Sequence, residues 1–85
     1  MANPYSLVYA DSVVSVLCSL EKPRLVEVLY DLRKLAQDPF VRSDYSVPDA
    51  DGRPIEFLLA GEFVFGYFVD HAGSEVRIVD LSEVS

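Results

Sequence analysis

The sequence is poor in the residues that would tie it to an oxidising compartment, a metal or a membrane. It has one cysteine, one histidine, one methionine and no tryptophan among 85 residues. A single cysteine excludes a disulfide within the chain, and no apolar run approaches the ~20 residues that a membrane-spanning helix needs. The first residues have neither the basic start nor the apolar stretch of a secretion signal. We therefore expect a cytoplasmic protein with no membrane association.

Positive charge is also scarce. Seven Lys and Arg stand against fourteen Asp and Glu, which gives a formal net charge of -7. Nucleic-acid binding draws much of its affinity from cations placed at phosphates, and an acidic chain repels a polyanion at long range. The charge therefore argues against nucleic acid as a direct partner.

Apolar residues, in contrast, are abundant. Hydrophobic residues make up 51% of the chain and aromatic residues 12%. A chain of this length and composition fits one folded domain over residues 1–85 with one thin core. The high apolar share predicts that part of the apolar surface serves a partner.

Two helices are predicted in the first half of the chain. Asp11 is placed to cap a helix over 13–20, although the valines of that stretch also suit a strand. Cys18 lies there among apolar residues, which predicts a buried, unreactive thiol. A second helix begins at Pro23 and ends before Pro39. Its apolar stripe consists of Leu25, Val28, Leu29, Leu32, Leu35 and Ala36.

Short apolar stretches separated by turns predict the strands. The predicted strands cover residues 5–10, 42–47, 55–60, 63–70 and 75–81. The order is β-α-α-β-β-β-β, and the last four strands form a meander with short connections. The sequence thus predicts an α+β fold with an antiparallel sheet and a helix hairpin on one of its faces.

The predicted strand 63–70 is apolar on both sides. Phe63, Phe65, Tyr67 and Val69 alternate with Val64 and Phe68. Because the helices cover only one face, the other face needs a partner chain, a second copy of the chain or a ligand. Aromatic residues are frequent anchors of protein interfaces. The predicted partner-binding set is Phe57, Phe63, Phe65, Tyr67 and Phe68.

Few residues offer chemistry. His71 follows Asp70, and a histidine beside a carboxylate can act as an acid–base pair. Arg53 and Arg77 are cations on the sheet side that could contact a phosphate. We interpret all three as surface residues, with a catalytic role as the alternative. No metal cluster, phosphate-binding loop or nucleophile–His–Asp set can be assembled from the sequence, so neither a metal nor a cofactor is expected.

Several short segments of the sequence together resemble those of a known family. The helix pair ends in Leu35-Ala36-Gln37-Asp38-Pro39, Asp44-Tyr45 opens a strand, and Gly52-Arg53 forms a turn. Tyr67–Asp70 ends one strand, and Val76–Asp80 lies in the last one. Over nearly its whole length the chain resembles the RelE/ParE superfamily of toxins from toxin–antitoxin pairs. The resemblance implies an antitoxin partner that lies across the sheet and the helices.

The resemblance also implies a catalytic set, which this chain lacks. Ribosome-dependent RNases of the family use Lys and Arg on the sheet strands, with a Tyr or His near the C-terminus, to stabilise charge and move protons. The matching strand here reads Ile55-Glu56-Phe57-Leu58, Phe63 stands where Arg is frequent, and the last strand ends in the acidic Asp80-Leu81-Ser82-Glu83. The sequence therefore predicts a protein that binds an antitoxin or itself and has weak or no RNase activity.

Three other functions stay open. One is an active ribosome-dependent mRNA interferase built on Arg53, His71 and Arg77. Another is a toxin directed at DNA gyrase, as the ParE-like members imply. The last is a small protein-interaction module without toxin ancestry.

Overall fold

The computed structural model describes residues 5–40 and 43–84. Two helices and five strands follow one another in the predicted order. Their bounds are β1 (Ser6–Tyr9), α1 (Asp11–Ser19), α2 (Lys22–Gln37), β2 (Tyr45–Pro48), β3 (Pro54–Ala60), β4 (Phe63–Asp70) and β5 (Glu75–Glu83). The prediction of an α+β fold is confirmed. β2 begins later than predicted, and Arg42 of the predicted strand lies outside the described residues.

The stretch over 13–20, for which a helix and a strand were both open, is helical up to Ser19, and Leu20 is the extended C-cap residue. The predicted cap is wrong: Ala10 occupies the N-cap position, and Asp11 lies in the first turn, where a carboxylate favours the positive end of the helix dipole. Cys18 is exposed rather than buried. Val13 and Leu17 face the core, and the next residue after Leu17 is turned about 100° around the helix toward solvent.

The sheet is mixed rather than antiparallel throughout. Its strand order is β1-β5-β4-β3-β2. The four strands from β2 to β5 pair antiparallel as predicted, but β1 pairs parallel with β5. Short turns force neighbouring strands of the meander to reverse direction. β1 reaches the sheet through the long helical connection, and a connection of that kind permits a parallel pair.

The core lies between the helices and one face of the sheet. Residues of β4 and β5 alternate between the two faces, and the register of this pair shifts between Gly66 and Tyr67, opposite which β5 has one unpaired residue, Val79. Helix α1 packs against β5, and α2 packs against β1 and β5. The buried residues of this core are Val13, Leu17, Val28, Leu32, Leu35, Phe63, Phe65, Tyr67, Val76, Ile78 and Leu81.

Arg24 of α2 links the helices to one end of the sheet. Its guanidinium lies 2.8 Å from the carboxylate of Glu62, in the turn between β3 and β4, and it also pairs with Glu83 at the end of β5. The guanidinium carbon is 5.1 Å from the centroid of the Phe63 ring. One cation thus fixes the helix layer over the sheet.

Among the described residues, no helix has both the length and the apolar character needed to cross a membrane.

Candidate binding face and adjoining groove

The face of the sheet that is turned away from the helices carries a patch of apolar side chains. We call it the open face and define it by Tyr45, Phe57, Leu59, Val64 and Phe68. Tyr45 pairs with Phe57 across β2 and β3, and their rings stack in parallel with centroids 4.9 Å apart and planes 6° apart. Tyr45 is 48% and Leu59 51% exposed. The open face is therefore apolar and accessible.

Gly66 at the centre of β4 shapes the open face. Phe57 lies opposite Gly66 in the register of β3 and β4. A β-carbon at position 66 would lie 2.8 Å from Cε1 of Phe57 and 2.9 Å from Cβ of Asp80, which is closer than carbon atoms approach. The absence of a side chain at this position lets the Phe57 ring lie over the β4 backbone. The stacked pair with Tyr45 therefore depends on Gly66.

Leu59 is exposed because β2 is shorter than β3. The pairing of β2 and β3 ends at Tyr45 and Phe57. Beyond it, the carboxylate of Asp44 accepts the backbone N–H of Leu59 at 2.7 Å. A side chain thus takes the place of a strand, and the Leu59 side chain has no neighbour from β2 to cover it.

The structure divides the aromatic set predicted for partner binding. Phe63, Phe65 and Tyr67 are buried under the helices, and Phe65 has no exposed surface. They are not available to a partner in the folded chain, because the odd-numbered positions of β4 face the core. Phe57 and Phe68 are half-buried and belong to the open face. The predicted surface is thereby narrowed to these two residues and their neighbours.

Sequence reasoning missed Tyr45 and Leu59. Leu59 follows Phe57 by two residues in the same strand, so period-two alternation could have placed it on the same face. Tyr45 reaches that face through its register with β3, which depends on a loop and is not readable from a single strand.

A groove of about 1000 Å³ opens at one end of the sheet. It lies between the segment that follows α2, which contributes Pro39 and Phe40, and the ends of β3 and β4. Arg53, His71 and Arg77 all line it. The three residues considered for catalysis are therefore brought to one place by the fold, although they are far apart in sequence.

Each of these three residues already has a neighbour. The guanidinium carbon of Arg53 lies 4.6 Å from the centroid of Phe68, which joins the groove to the open face. Arg77 donates to the Glu75 carboxylate at 3.1 Å, in a solvent-accessible pair of the kind that contributes little to stability.

His71 is held by two aromatic residues. Its Nδ1 shares a hydrogen bond of 3.0 Å with the Tyr5 hydroxyl. Its ring stacks on Phe40 with centroids 5.0 Å apart and planes 12° apart. The stacking and the hydrogen bond fix the orientation of the imidazole at the rim of the groove.

The charges of the groove cancel. Its lining includes two guanidinium groups, Arg53 and Arg77, and two carboxylates, Glu56 and Asp70. Burial raises the pKa of the Tyr67 hydroxyl, and the nearby carboxylates of Glu56 and Asp44 raise it further. The Tyr67 phenol is therefore neutral at physiological pH. A site of this kind lacks the surplus of cations that would concentrate on a phosphate.

Within residues 5–40 and 43–84, no three His, Cys, Asp or Glu side chains are grouped so that they could hold a metal ion.

Several solved structures superimpose on nearly the whole of this chain. A chain from the archaeal RelE–RelB complex of Pyrococcus horikoshii OT3 superimposes with a TM-score of 0.75, at 19% identity, over 98% of this chain and 98% of that chain. The chain has the RelE-like toxin fold. The isolated E. coli RelE toxin matches with a TM-score of 0.74, at 12% identity, over 95% of this chain and 85% of that one.

A third RelE-like structure comes from the RelBE2 toxin–antitoxin complex of Mycobacterium tuberculosis. It matches with a TM-score of 0.69, at 16% identity, over 98% of this chain and 94% of that chain. No protein-family model matches the sequence, and no curated protein matches it significantly. The resemblance noted from the sequence is thus confirmed for the RelE-like fold. That the chain lacks the catalytic residues of the RNase members stays a prediction.

Proposed function

We propose that this chain, a single domain over residues 1–85, is a RelE-like member of a toxin–antitoxin pair and that it works by binding protein. The observation that carries the proposal is the open face. Tyr45 and Leu59 expose about half of their surfaces, and the Tyr45–Phe57 stack gives them a rigid support. Tyrosine is among the residues most frequent at the energetic centres of protein interfaces, and Tyr45 is the exposed member of this stack.

An antitoxin is the partner that the comparisons favour. Two of the similar solved structures are complexes of a RelE-type toxin with its RelB-type antitoxin. Their identities of 19% and 16% are too low to transfer contacts residue by residue. A second copy of the chain is the other occupant of the open face under this proposal.

Weak or absent RNase activity belongs to the same proposal. The chain carries a formal charge of -7, and the guanidinium groups of the groove are matched by equal numbers of carboxylates. Attack on an mRNA phosphate needs cations that stabilise the added negative charge. Such a surplus is missing from the groove.

The test compares two exposed apolar residues on opposite layers of the molecule. The chain is co-expressed with the product of the neighbouring gene, and the complex is purified by a tag on the chain. Leu59→Asp on the open face should lose the partner, whereas Val14→Asp on α1 should keep it. Thermal unfolding and the mass in solution of each variant show that it folds and whether it self-associates. Retention of the partner by a folded Leu59→Asp variant would exclude the open face as the interface.

The groove supports a second candidate function, a ribosome-dependent mRNA interferase. The observation that favours it is the convergence of Arg53, His71 and Arg77 on one groove. Purified protein is added to cell-free translation, and the mRNA ends are mapped. Cuts that require the ribosome and disappear with Arg77→Ala would establish this function and refute the proposal of weak or absent RNase activity. Uncut mRNA at an excess of folded protein is the result that the first proposal expects.

A further inference from the structure

We propose that the outward side of α2 is a second docking surface, and that it accepts an acidic amphipathic helix of a partner protein. We call this surface the α2 stripe and define it by Lys22, Val26, Tyr30, Arg33 and Lys34. Val26 is 58% and Tyr30 64% exposed. They are one helical turn apart, so their side chains are neighbours on the outside of the helix. An outward face of a surface helix is normally polar, and this apolar pair departs from that rule.

Positive charge is concentrated on the same helix. Helix α2 has four basic and two acidic residues. The remainder of the chain has three basic and twelve acidic residues. The net negative charge of the molecule therefore lies outside α2. A negatively charged partner is attracted to α2, because opposite charges attract, and the acidic remainder of the surface repels it from other sites.

Three of these cations are available to a partner. Arg24 is occupied by Glu62 and Glu83. Lys22, Arg33 and Lys34 have no carboxylate within salt-bridge distance among the described residues. The ammonium of Lys34 lies 5.4 Å from the centroid of the Tyr30 ring, which is compatible with a weak cation–π contact. Charge and apolar surface thus occupy one stripe.

The shape of the stripe selects a helical partner. The 16 residues of α2 give a rod about 24 Å long. Apolar side chains one turn apart form a ridge that fits between the side chains of a second helix. A helix with aliphatic residues at one-turn spacing and Glu or Asp on both flanks would cover Val26 and Tyr30 and meet Lys22, Arg33 and Lys34.

A second copy of the chain does not satisfy the stripe. In a symmetric contact between two α2 helices, the cations of both copies would face each other, and like charges in contact oppose association. Apart from Asp11 in the first turn of α1, the acidic residues outside α2 lie in turns and strands among the described residues, so they form no acidic helical ridge. Because α2 lies on the opposite layer of the molecule from the open face, binding to the α2 stripe can be tested separately from binding to the open face.

The experiment uses two synthetic peptides as probes. Both are helical and carry the same leucines at one-turn spacing, but one has glutamates and the other lysines on the flanks. Each is titrated into the isotope-labelled full chain, and amide chemical shifts report the site and the affinity. The glutamate peptide should shift the amides of residues 22–34, and its affinity should fall as salt is added. The lysine peptide should not bind.

Variants separate the apolar from the charged contribution. Tyr30→Ser and the double variant Arg33→Glu/Lys34→Glu should each weaken the glutamate peptide at least about tenfold. Val14→Ser on α1 is the matched control and should leave its affinity unchanged. Since all of these side chains are exposed, each variant is expected to fold, and its own amide spectrum verifies this.

Four outcomes would overturn the proposal. The first is equal binding of the two peptides, and the second is no binding of either. The third is a set of shifted amides outside α2. The fourth is self-association of the free chain that Arg33→Glu abolishes, since this would identify a second copy as the occupant.

Discussion

Replacing Gly66 by alanine tests the account of the open face most directly. The backbone at this position does not have a positive φ, so an alanine is not strained by its own conformation. In open space the substitution would stabilise the strand by about 0.5–1 kcal/mol, because glycine loses more backbone entropy on folding. The sign of the measured effect therefore depends on the neighbouring atoms.

Those neighbours leave no room for a methyl group. The new carbon would lie 2.8 Å from the Phe57 ring and 2.9 Å from Cβ of Asp80. Forcing an extra methyl group into a packed site costs about 1–3 kcal/mol, and displacing Phe57 also weakens its stack with Tyr45. After the entropy gain is subtracted, we expect Gly66→Ala to lower the free energy of unfolding by about 1–2 kcal/mol. For a domain of this size, that loss lowers Tm by roughly 5–15 °C.

The assay is a double-mutant cycle read by thermal and urea unfolding. We compare the free energy of unfolding of the unmodified chain with those of Gly66→Ala, Phe57→Ala and the double variant. The comparison requires that all four proteins have the same slope of unfolding free energy against urea concentration. Alanine at 66 should cost less once the Phe57 ring is gone, with a coupling of about 1 kcal/mol. The contact with Asp80 remains in the double variant, so the rescue is expected to be partial.

Two results would refute this reasoning. An increase in Tm for Gly66→Ala would mean that the backbone entropy outweighs the contacts. An equal cost with and without the Phe57 ring would mean that the ring does not rest on Gly66. In either case the Tyr45–Phe57 stack could not be attributed to the glycine.

Other substitutions test the core and the electrostatics. Phe65→Ala should lower the free energy of unfolding by about 3–5 kcal/mol, which a urea titration would show as a much lower midpoint. A variant that keeps most of the stability would contradict the burial of Phe65 at the centre of the core. Arg24→Ala should lower Tm modestly because Glu62 and Glu83 lose their cation, and the difference in Tm from the unmodified chain should shrink in high salt. If salt does not change this difference, the effect comes from the packing of the guanidinium and the charge pairs do not contribute. The raised pKa of Tyr67 stabilises the fold fully below the unfolded tyrosine value of about 10, and this stabilisation is lost as the pH rises through the folded value. Tyr67→Phe should therefore show a flatter decline of stability above about pH 10, and parallel declines for both proteins would count against a perturbed Tyr67.

The element order was predictable because its signals are local. Helical spacing from Leu25 to Ala36 and the proline at position 39 define α2 within a few residues. The alternation in Phe63–Asp70 gives the bounds of β4 as the structure has them. In each of these cases the information lies in a short window of the sequence.

Features that depend on distant partners were not predictable. The parallel direction of β1 is set by its pairing with β5, and the two strands are far apart in the chain. The groove is another example, since nothing in the segments around Arg53, His71 and Arg77 indicates that they meet. The stack of Tyr45 on Phe57 depends on strand register, and the exposure of Cys18 depends on which side of α1 faces the sheet.

The position of β5 between β1 and β4 constrains when the chain can fold during its synthesis. Within the part of the chain that the structure describes, β1 is the first strand to be made, and its strand neighbour β5 is the last of the five. Until translation passes Glu83, β1 has no partner, and the apolar sides of α1 and α2 have no complete sheet to cover. Pairing over so long a stretch of chain is also intrinsically slow. The open face and the groove therefore come into being only after this strand is synthesised, so every folded copy is one whose translation has already passed β5.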